Sequence, residues 1–510
     1  MFVTTYGSAL IGIEAKKIHI EVNWLLTGKS SSLVGLPDSA IRESLERIES
    51  VFKTNGYKFP RTKLVINLAP ADIRKSGTAF DLPIAIGILA ASGQLIEVNL
   101  LRKYLLMGEL ALDGSIRSIR GALPIALQAK QDGFTGVILP DENAAEASLI
   151  EGIQIVGATT INEVISLFNE SFERKETNKL KAPPPFKKNI EQSESNETVI
   201  GQELAKRALE IAAAGGHHLL LYGAPGAGKT LLARRLSQLL PSLSYPEAIE
   251  TSLIHSVAGQ GINQMLLLGK RPFRDPHHSI SDAGLIGGGR TLQPGEISLA
   301  HHGVLFLDEF PEFKRNVLEA LRQPLEERCI MLSRAGQTCR FPCSFLLVAA
   351  MNPCPCGYDG HPSINCTCTP GMIQRYKHRI SGPLLDRIDL HVEVKPLLAT
   401  QLIQTSSVEN CSLQASQHRI KKARSIQEKR WEKLPHHYCN AQATGKLIRE
   451  NSRIDKQGLL ILEKAATKFG YSARVLDRLI KVARTIADLE EQANIQASHF
   501  AEAIQFRNII

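Results

Sequence analysis

Gly223 to Thr230 read GAPGAGKT, which meets the pattern G-x-x-x-x-G-K-T at every fixed position. Glycines let backbone N–H groups curl around phosphate oxygens, a lysine at this spacing reaches the β and γ phosphates, and the next hydroxyl can ligate Mg²⁺. Gly223, Ala224, Pro225, Gly226, Ala227, Gly228, Lys229, Thr230 and Leu231 thus spell a nucleoside triphosphate cradle. Further on, Asp308 and Glu309 follow the apolar run Val304 to Leu307. Asp308 suits support of the magnesium ion and Glu309 suits orienting and polarising water, which together favour hydrolysis over nucleotide binding alone. Asn352 closes a third apolar run, SFLLVAAMNP, where a polar side chain at a strand's carboxyl end can contact a γ-phosphate or the attacking water. Asn-Pro also begins turns, and that alternative stays open.

A second set of chemically capable residues follows at once. Cys354, Cys356, Cys366 and Cys368 are spaced C-x-C-x9-C-x-C. Two close thiol pairs can close a tetrahedral site around zinc, and four thiolates leave no open position for catalysis, so the expected metal is structural. The pairs are tighter than C-x2-C, which leaves reduced thiols in a loop and a redox switch as alternatives, and Cys339 and Cys343 could replace one pair. The histidine pairs His277–His278 and His301–His302 lack a cysteine or carboxylate at ligand spacing and read as packing and loop hydrogen bonds.

These groups need a scaffold, and the chain supplies one. Leu219 to Leu221 is a short buried strand before the glycine loop, and LLARRLSQLL after it is an amphipathic helix. Residues 172–198 combine charge, three consecutive prolines and no apolar period, the texture of a linker. Strands and helices alternate before it. From about residue 397 the pattern is helical to the end. There Lys468 and Gly470 end one helix and Ser472 caps the next, whose Val475, Leu479, Val482 and Ile486 share one face. At 510 residues, with 43% apolar and 22% charged residues, the chain is a multidomain globular protein with no run of membrane-spanning length. Its start has no signal-peptide pattern, and its nine cysteines are not a secreted disulfide framework, so a cytoplasmic protein with no membrane partner is expected. A net charge of +9 permits a polyanionic partner without demanding one, and the seven Lys and Arg residues of 418–433 fit a solvated helix face better than a DNA contact.

Three long stretches, VIGQELAKRALEIAAAGGHHLLLYGAPGAGKT, RDPHHSISDAGLIGGGRTLQPGEISLAHHGVLFLDE and YKHRISGPLLDRIDLHVEV, resemble the magnesium-chelatase-like AAA+ ATPases, and within them the YifB/ComM family, along nearly the whole chain. The resemblance implies an α/β multidomain fold. A Lon-protease-like, ribosomal-S5-like α+β domain would span 1–171, a linker 172–198, an AAA+ P-loop α/β sheet with pore inserts 199–396, and a helical lid 397–510. It implies ATP and Mg²⁺, with Val199, Ile200 and Gly201 against the adenine, Asn352 as the sensor-1 residue, Arg387 as an arginine finger onto the neighbouring subunit's γ-phosphate, and Arg474 as the sensor-2 candidate. A guanidinium cannot deprotonate and forks onto phosphate oxygens, which suits that task; without the family, Arg387 would read as the partner of Asp386 or Asp389. Residues 275–300, with Arg274 and Arg290, would project into a pore, and CIMLSRAGQTCRFPCSF would form a hairpin turning at Ala335-Gly336. In the amino-terminal domain Ala79 stands at the Lon serine position and Leu123 or Pro124 at that of its lysine, so a contact platform rather than a peptidase is expected; Ser76, as a shifted nucleophile, would have nothing to activate it. The implied function is a hexameric ATP-driven motor on branched or junction DNA, a branch-migration helicase of recombination and natural transformation. The alternatives are a magnesium-chelatase motor subunit and a protein-remodelling unfoldase.

Overall fold

The computed structural model describes residues 1–169, 199–396 and 409–507, apart from 26, 29–30, 262–265, 267, 290–291, 335–336, 433 and 435–438. The linker reading, Arg290 and the Ala335-Gly336 turn lie outside the described residues.

In the amino-terminal region Phe2–Ile11 and Glu14–Trp24 pair antiparallel, and Leu64–Ala69 and Ser32–Val34 complete a four-stranded sheet. Along Glu14–Trp24 the side chains alternate, so Ile18, Ile20 and Val22 face inward and are fully buried. The helix Asp81–Ala91 shares their core and is apolar on every side, as a helix with no solvent face must be. Its one acid, Asp81, is satisfied by a bidentate contact to Arg47 at 2.9 Å. A three-stranded parallel sheet of Tyr104–Leu106, Gly136–Pro140 and Gln154–Ala158 closes that core through Leu106, Ile138 and Val156.

The central region is a five-stranded parallel sheet in the order Phe273–Arg274, Val304–Leu307, Leu346–Met351, Leu219–Tyr222, Leu390–Glu393. Covered on both faces, its central strands are continuous apolar runs rather than alternating ones; Val304–Leu307 and Leu346–Met351 are buried at every position. The carboxyl-terminal helices Glu409–Trp431, Gly445–Asn451, Lys456–Phe469, Ala473–Leu489 and Ala497–Gln505 share this core, with Ile420, Trp431, Val475, Leu479, Val482 and Ile486 in one cluster with Leu219 and Phe306. Helix punctuation follows the sequence: Gly470 ends Lys456–Phe469 at φ +64°, and the Ser472 hydroxyl accepts from the Val475 N–H at 3.4 Å.

Two contacts join the amino-terminal region to the central one. The helix Ala122–Gln131 lies on Tyr245–Val257, where Leu253 joins the cluster of Leu123 and Ala126, and the Gly121 N–H donates to Ser256 O at 3.1 Å. The first hairpin's turn reaches the hairpin of Cys329–Arg334 and Gln337–Pro342, where Ile11 and Ile13 pack with Leu332, Cys339 and Phe341. Leu123, expected with Pro124 at the position of a Lon lysine, is thus fully buried in a joint. Lys75, the buried lysine beside exposed Ser76, is committed to the carbonyls of Gly35 and Pro70. Among the described residues no helix is long and apolar enough to cross a membrane.

Candidate nucleotide site and arginine face

The glycine loop connects the strand Leu219–Tyr222 to the helix Lys229–Leu239. Gly226 and Gly228 take φ +76° and +90°, which a side chain would strain, and open space lies where a Cβ would point, so the loop keeps a bend that only glycine accepts comfortably and leaves room beside it. The Lys229 ammonium donates to Gly223 O at 2.6 Å, Ala224 O at 3.0 Å and Asn352 Oδ1 at 2.9 Å. Burial holds its pKa below the ordinary lysine value, so it gains from an anion beside it. The Thr230 hydroxyl donates to Asp308 Oδ2 at 3.3 Å, which sets side by side two oxygens of the kind that ligate Mg²⁺. Lys229, Thr230, Asp308 and Asn352 are therefore brought together at the carboxyl ends of three adjacent strands, the edge where such sheets bind ligands. Val199 is buried in the same apolar cluster as Ala227, and Gly201 turns the chain at φ +61° just before the helix Glu203–Gly215.

Glu309 parts from its neighbour. Its backbone is left-handed, φ +50°, and its carboxylate lies 2.9 Å from His278 Nδ1. Partial desolvation, and then the Asp308 carboxylate, push the Asp275 carboxyl up. Asp275 and His278 were not singled out from the sequence as site residues; the signal was their place in RDPHHS, next to the strand that flanks Val304–Leu307.

Cys354, Cys356, Cys366 and Cys368 place their sulfurs within 4.8 Å of one another. Sγ separations of 3.2 Å for 354–356, 3.6 Å for 354–366 and 3.5 Å for 356–366 are close to the roughly 3.8 Å edge that Zn–S bonds of about 2.3 Å give a tetrahedron. Backbone N–H groups of Asp359 and Cys368 donate to Cys354 and Cys366, and those of Tyr358 and Thr367 pull the Cys356 thiol down to about 5. The donor set fits a zinc ion. Cys339 and Cys343 stand apart from it, both buried; burial raises both thiols, and Cys339 packs against Gly12. A Cβ on Gly357 would meet Pro225 at 2.6 Å, so the cysteine loop lies directly on the glycine loop, and the Tyr376 hydroxyl bonds the Asn352 backbone from the helix Pro370–Lys377.

Arg387 and Arg474 lie elsewhere. A cavity of about 320 Å³ is lined by His218, Gly303, Leu346 and Asp389, which open or precede four of the parallel strands, and by Arg387, Arg474, Arg478 and Lys481. It sits at the amino ends of the strands, opposite Lys229. Arg387 is nearly buried; it ion-pairs with Glu326 at 2.7 Å and donates to Pro383 O at 2.6 Å. The partner expected without the family was Asp386 or Asp389, but Asp386 pairs with Arg507 and Asp389 with Arg478 and His217. Arg474 reaches the same Glu326 at 3.9 Å, so the sensor-2 candidate joins the arginine-finger candidate and not the residues around Lys229.

The remaining cations and imidazoles are largely engaged. Arg274 forks onto Glu296 at 2.5 and 2.7 Å, and on the helix Glu409–Trp431 Arg419, Lys422 and Arg430 pair with Glu210, Glu491 and Asp488. His301 and His302 converge on Glu250, a carboxylate that sequence spacing could not supply because it comes from another helix. His301 Nδ1 accepts from the Ser344 N–H at 2.9 Å, so its Nε2 carries the proton and donates to Glu250 rather than ligating a metal.

Residues 20–143 match the family described as subunit ChlI of Mg-chelatase, 196–402 that of magnesium chelatase, subunit ChlI, and 411–507 its C-terminal part. With the P-loop sheet, the helices behind it and the amino-terminal α+β domain, this defines a magnesium-chelatase-like AAA+ ATPase with a Lon-protease-like domain; 140 residues are 31% identical to Lon protease 2 of Bacillus subtilis, 27% of this chain and 25% of that protein. Competence protein ComM of Haemophilus influenzae is 42% identical over 506 residues, 99% of this chain and 97% of its own, and YifB of Escherichia coli is 42% identical over 502 residues, 98% and 96%. The chain belongs to the ComM/YifB family.

Proposed function

We propose that the chain is a ring-forming, ATP-hydrolysing motor that acts on DNA and migrates branched intermediates in recombination, the kind of role that the name of its competence-protein relative points to. The observation that carries this reading is the division of the hydrolytic groups between opposite ends of one sheet. Lys229, Thr230, Asp308 and Asn352 would hold ATP and its Mg²⁺ at one end, while Arg387 and Arg474 point from the other towards an acceptor outside their own nucleotide site. Arg387 Nε is buried with no acceptor among the described residues, an arrangement that favours a partner supplied from outside. A closed ring, six subunits by family resemblance, brings such a face onto the next subunit's cradle.

In this reading Thr230 and Asp308 would hold Mg²⁺, which would supply charge neutralisation at the phosphate oxygens. Lys229 orients the γ-phosphoryl, Glu309 polarises water, and Arg387 from the neighbour stabilises the charge that develops. Cys354, Cys356, Cys366 and Cys368 would hold a Zn²⁺ ion that would brace the loop lying on Pro225 and following Asn352. The division into 1–171, 199–396 and 397–510 is proposed on the same footing.

Purified protein should hydrolyse ATP faster with forked DNA than without it and should move a branch point, and Lys229→Ala should do neither. DNA-independent hydrolysis without branch movement contradicts the reading. The family descriptions favour a chelatase motor as second reading; recovery of a large chelatase partner in a pull-down would support it.

A further inference from the structure

The cavity at the amino ends of the central strands holds more positive charge than its own carboxylates balance. Seven of its lining residues are Arg or Lys and five are Asp or Glu. Besides the pairs of Glu326, Asp386 and Asp389, Glu247 holds Arg271 at 3.2 Å and Asp477 holds Arg449, so each of the five carboxylates already has a cation. Arg328 and Lys481 have no carboxylate partner among the described residues. Both turn to one backbone oxygen: Arg328 Nη2 donates to Ala441 O at 3.1 Å, and Lys481 Nζ donates to it at 3.3 Å.

A carbonyl oxygen carries no net charge, and a guanidinium with five N–H groups and an ammonium with three keep donors to spare when they share one. Burial pushes Lys481 down to about 8 and holds Arg328 below the ordinary arginine value, so both gain from an anion beside them. Arg387 Nε, buried without an acceptor, lies in the same lining and adds a donor. The volume of about 320 Å³ stands at the small end of ligand pockets, which suits a small ion and excludes a polymer. Two full cations and a buried N–H match the double charge and several oxygens of phosphate better than the single charge of a carboxylate.

We propose that this cavity is a second anion site, which takes free phosphate through Arg328 and Lys481. The two cations come from different parts of the fold. Arg328 joins the helix Arg322–Glu327 to the strand Cys329–Arg334, and Lys481 stands on the helix Ala473–Leu489. Phosphate between them therefore ties the carboxyl-terminal helices to the sheet region within one subunit. Neither residue belongs to the groups assigned to hydrolysis, and the site needs neither DNA nor a ring.

Calorimetric titration of inorganic phosphate into the full chain, with the glycine loop filled by Mg²⁺ and β,γ-imido-ATP, tests it. Wild type should bind phosphate, Lys481→Met and Arg328→Gln should each weaken that binding at least about tenfold, and Lys481→Arg, which keeps the charge, should retain it. Phosphate should also raise the melting temperature of wild type and of Lys481→Arg but not of Lys481→Met, a response that a merely structural lysine would leave unmoved. Where Arg328→Gln does not fold, Lys481→Met decides alone. Wild type that takes up no phosphate, or a Lys481→Met variant that binds it as wild type does, overturns the proposal.

Discussion

At the carboxyl ends of the central strands Lys229, Asp308 and Asn352 converge on a loop of backbone amides, whereas at the amino ends Arg387, Arg474, Arg478 and Lys481 line a cavity shared with the carboxyl-terminal helices. The first end gathers a buried cation and two acidic or hydroxyl oxygens around the glycine loop. The second holds an excess of guanidinium over acceptors: Glu326 serves two arginines and Arg387 Nε has none. Under the proposed function, the difference gives one subunit two unlike halves of a hydrolytic site, one suited to grip a triphosphate and one suited to complete another's.

Breaking the second half should have the largest effect. Arg387→Ala should lower kcat by about 10³-fold, the lower range for an arginine finger, while ATP affinity measured with a fluorescent analogue stays within a few fold. Unchanged kcat would dissolve the comparison. Next comes the brace beside the first half. Cys366→Ser, or stripping metal with a chelator, should lower the melting temperature by roughly 5 °C and reduce kcat more than nucleotide binding. Metal analysis finding no zinc in protein purified without chelator would remove that brace from the account.

A further test follows the amino ends of the strands with pH. His218 and His301 stand just before the strands Leu219–Tyr222 and Val304–Leu307, and burial pushes them down to about 3 and about 4. Both accept a backbone N–H on Nδ1, at 3.1 and 2.9 Å, which fixes them neutral. The unfolded chain protonates them near 6.5 and the fold refuses the proton, so stability is full above pH 6.5 and falls as pH drops from there to about 4, by about 1.4 kcal/mol per unit per group. The melting temperature followed across that window should drop in wild type and drop less in His301→Gln; a flat profile would contradict the burial argument.

What the sequence disclosed was chemistry written in adjacent residues. The glycine loop, Asp308 after its apolar strand, the caps at Gly470 and Ser472 and the buried face of Ala473–Leu489 are local patterns whose physics needs no distant partner. The four cysteines were legible because both pairs lie in one loop. Pairings across the fold were not legible. Glu326 under Arg387 and Arg474, Glu250 under the histidine pair, and His278 on Glu309 each join segments that only packing brings together. Arg474 shows the limit well: its helix is readable, but the side of the sheet on which that helix packs is set by apolar contacts spread over the whole carboxyl-terminal region.

Mixing inactive subunits tests the central claim most directly. Lys229→Ala retains its arginine face and Arg387→Ala retains its triphosphate cradle, so hydrolysis should reappear when the two variants are combined, with a rate that peaks at intermediate ratios. Mixtures as inactive as either variant alone would contradict the division of one hydrolytic site between neighbouring subunits.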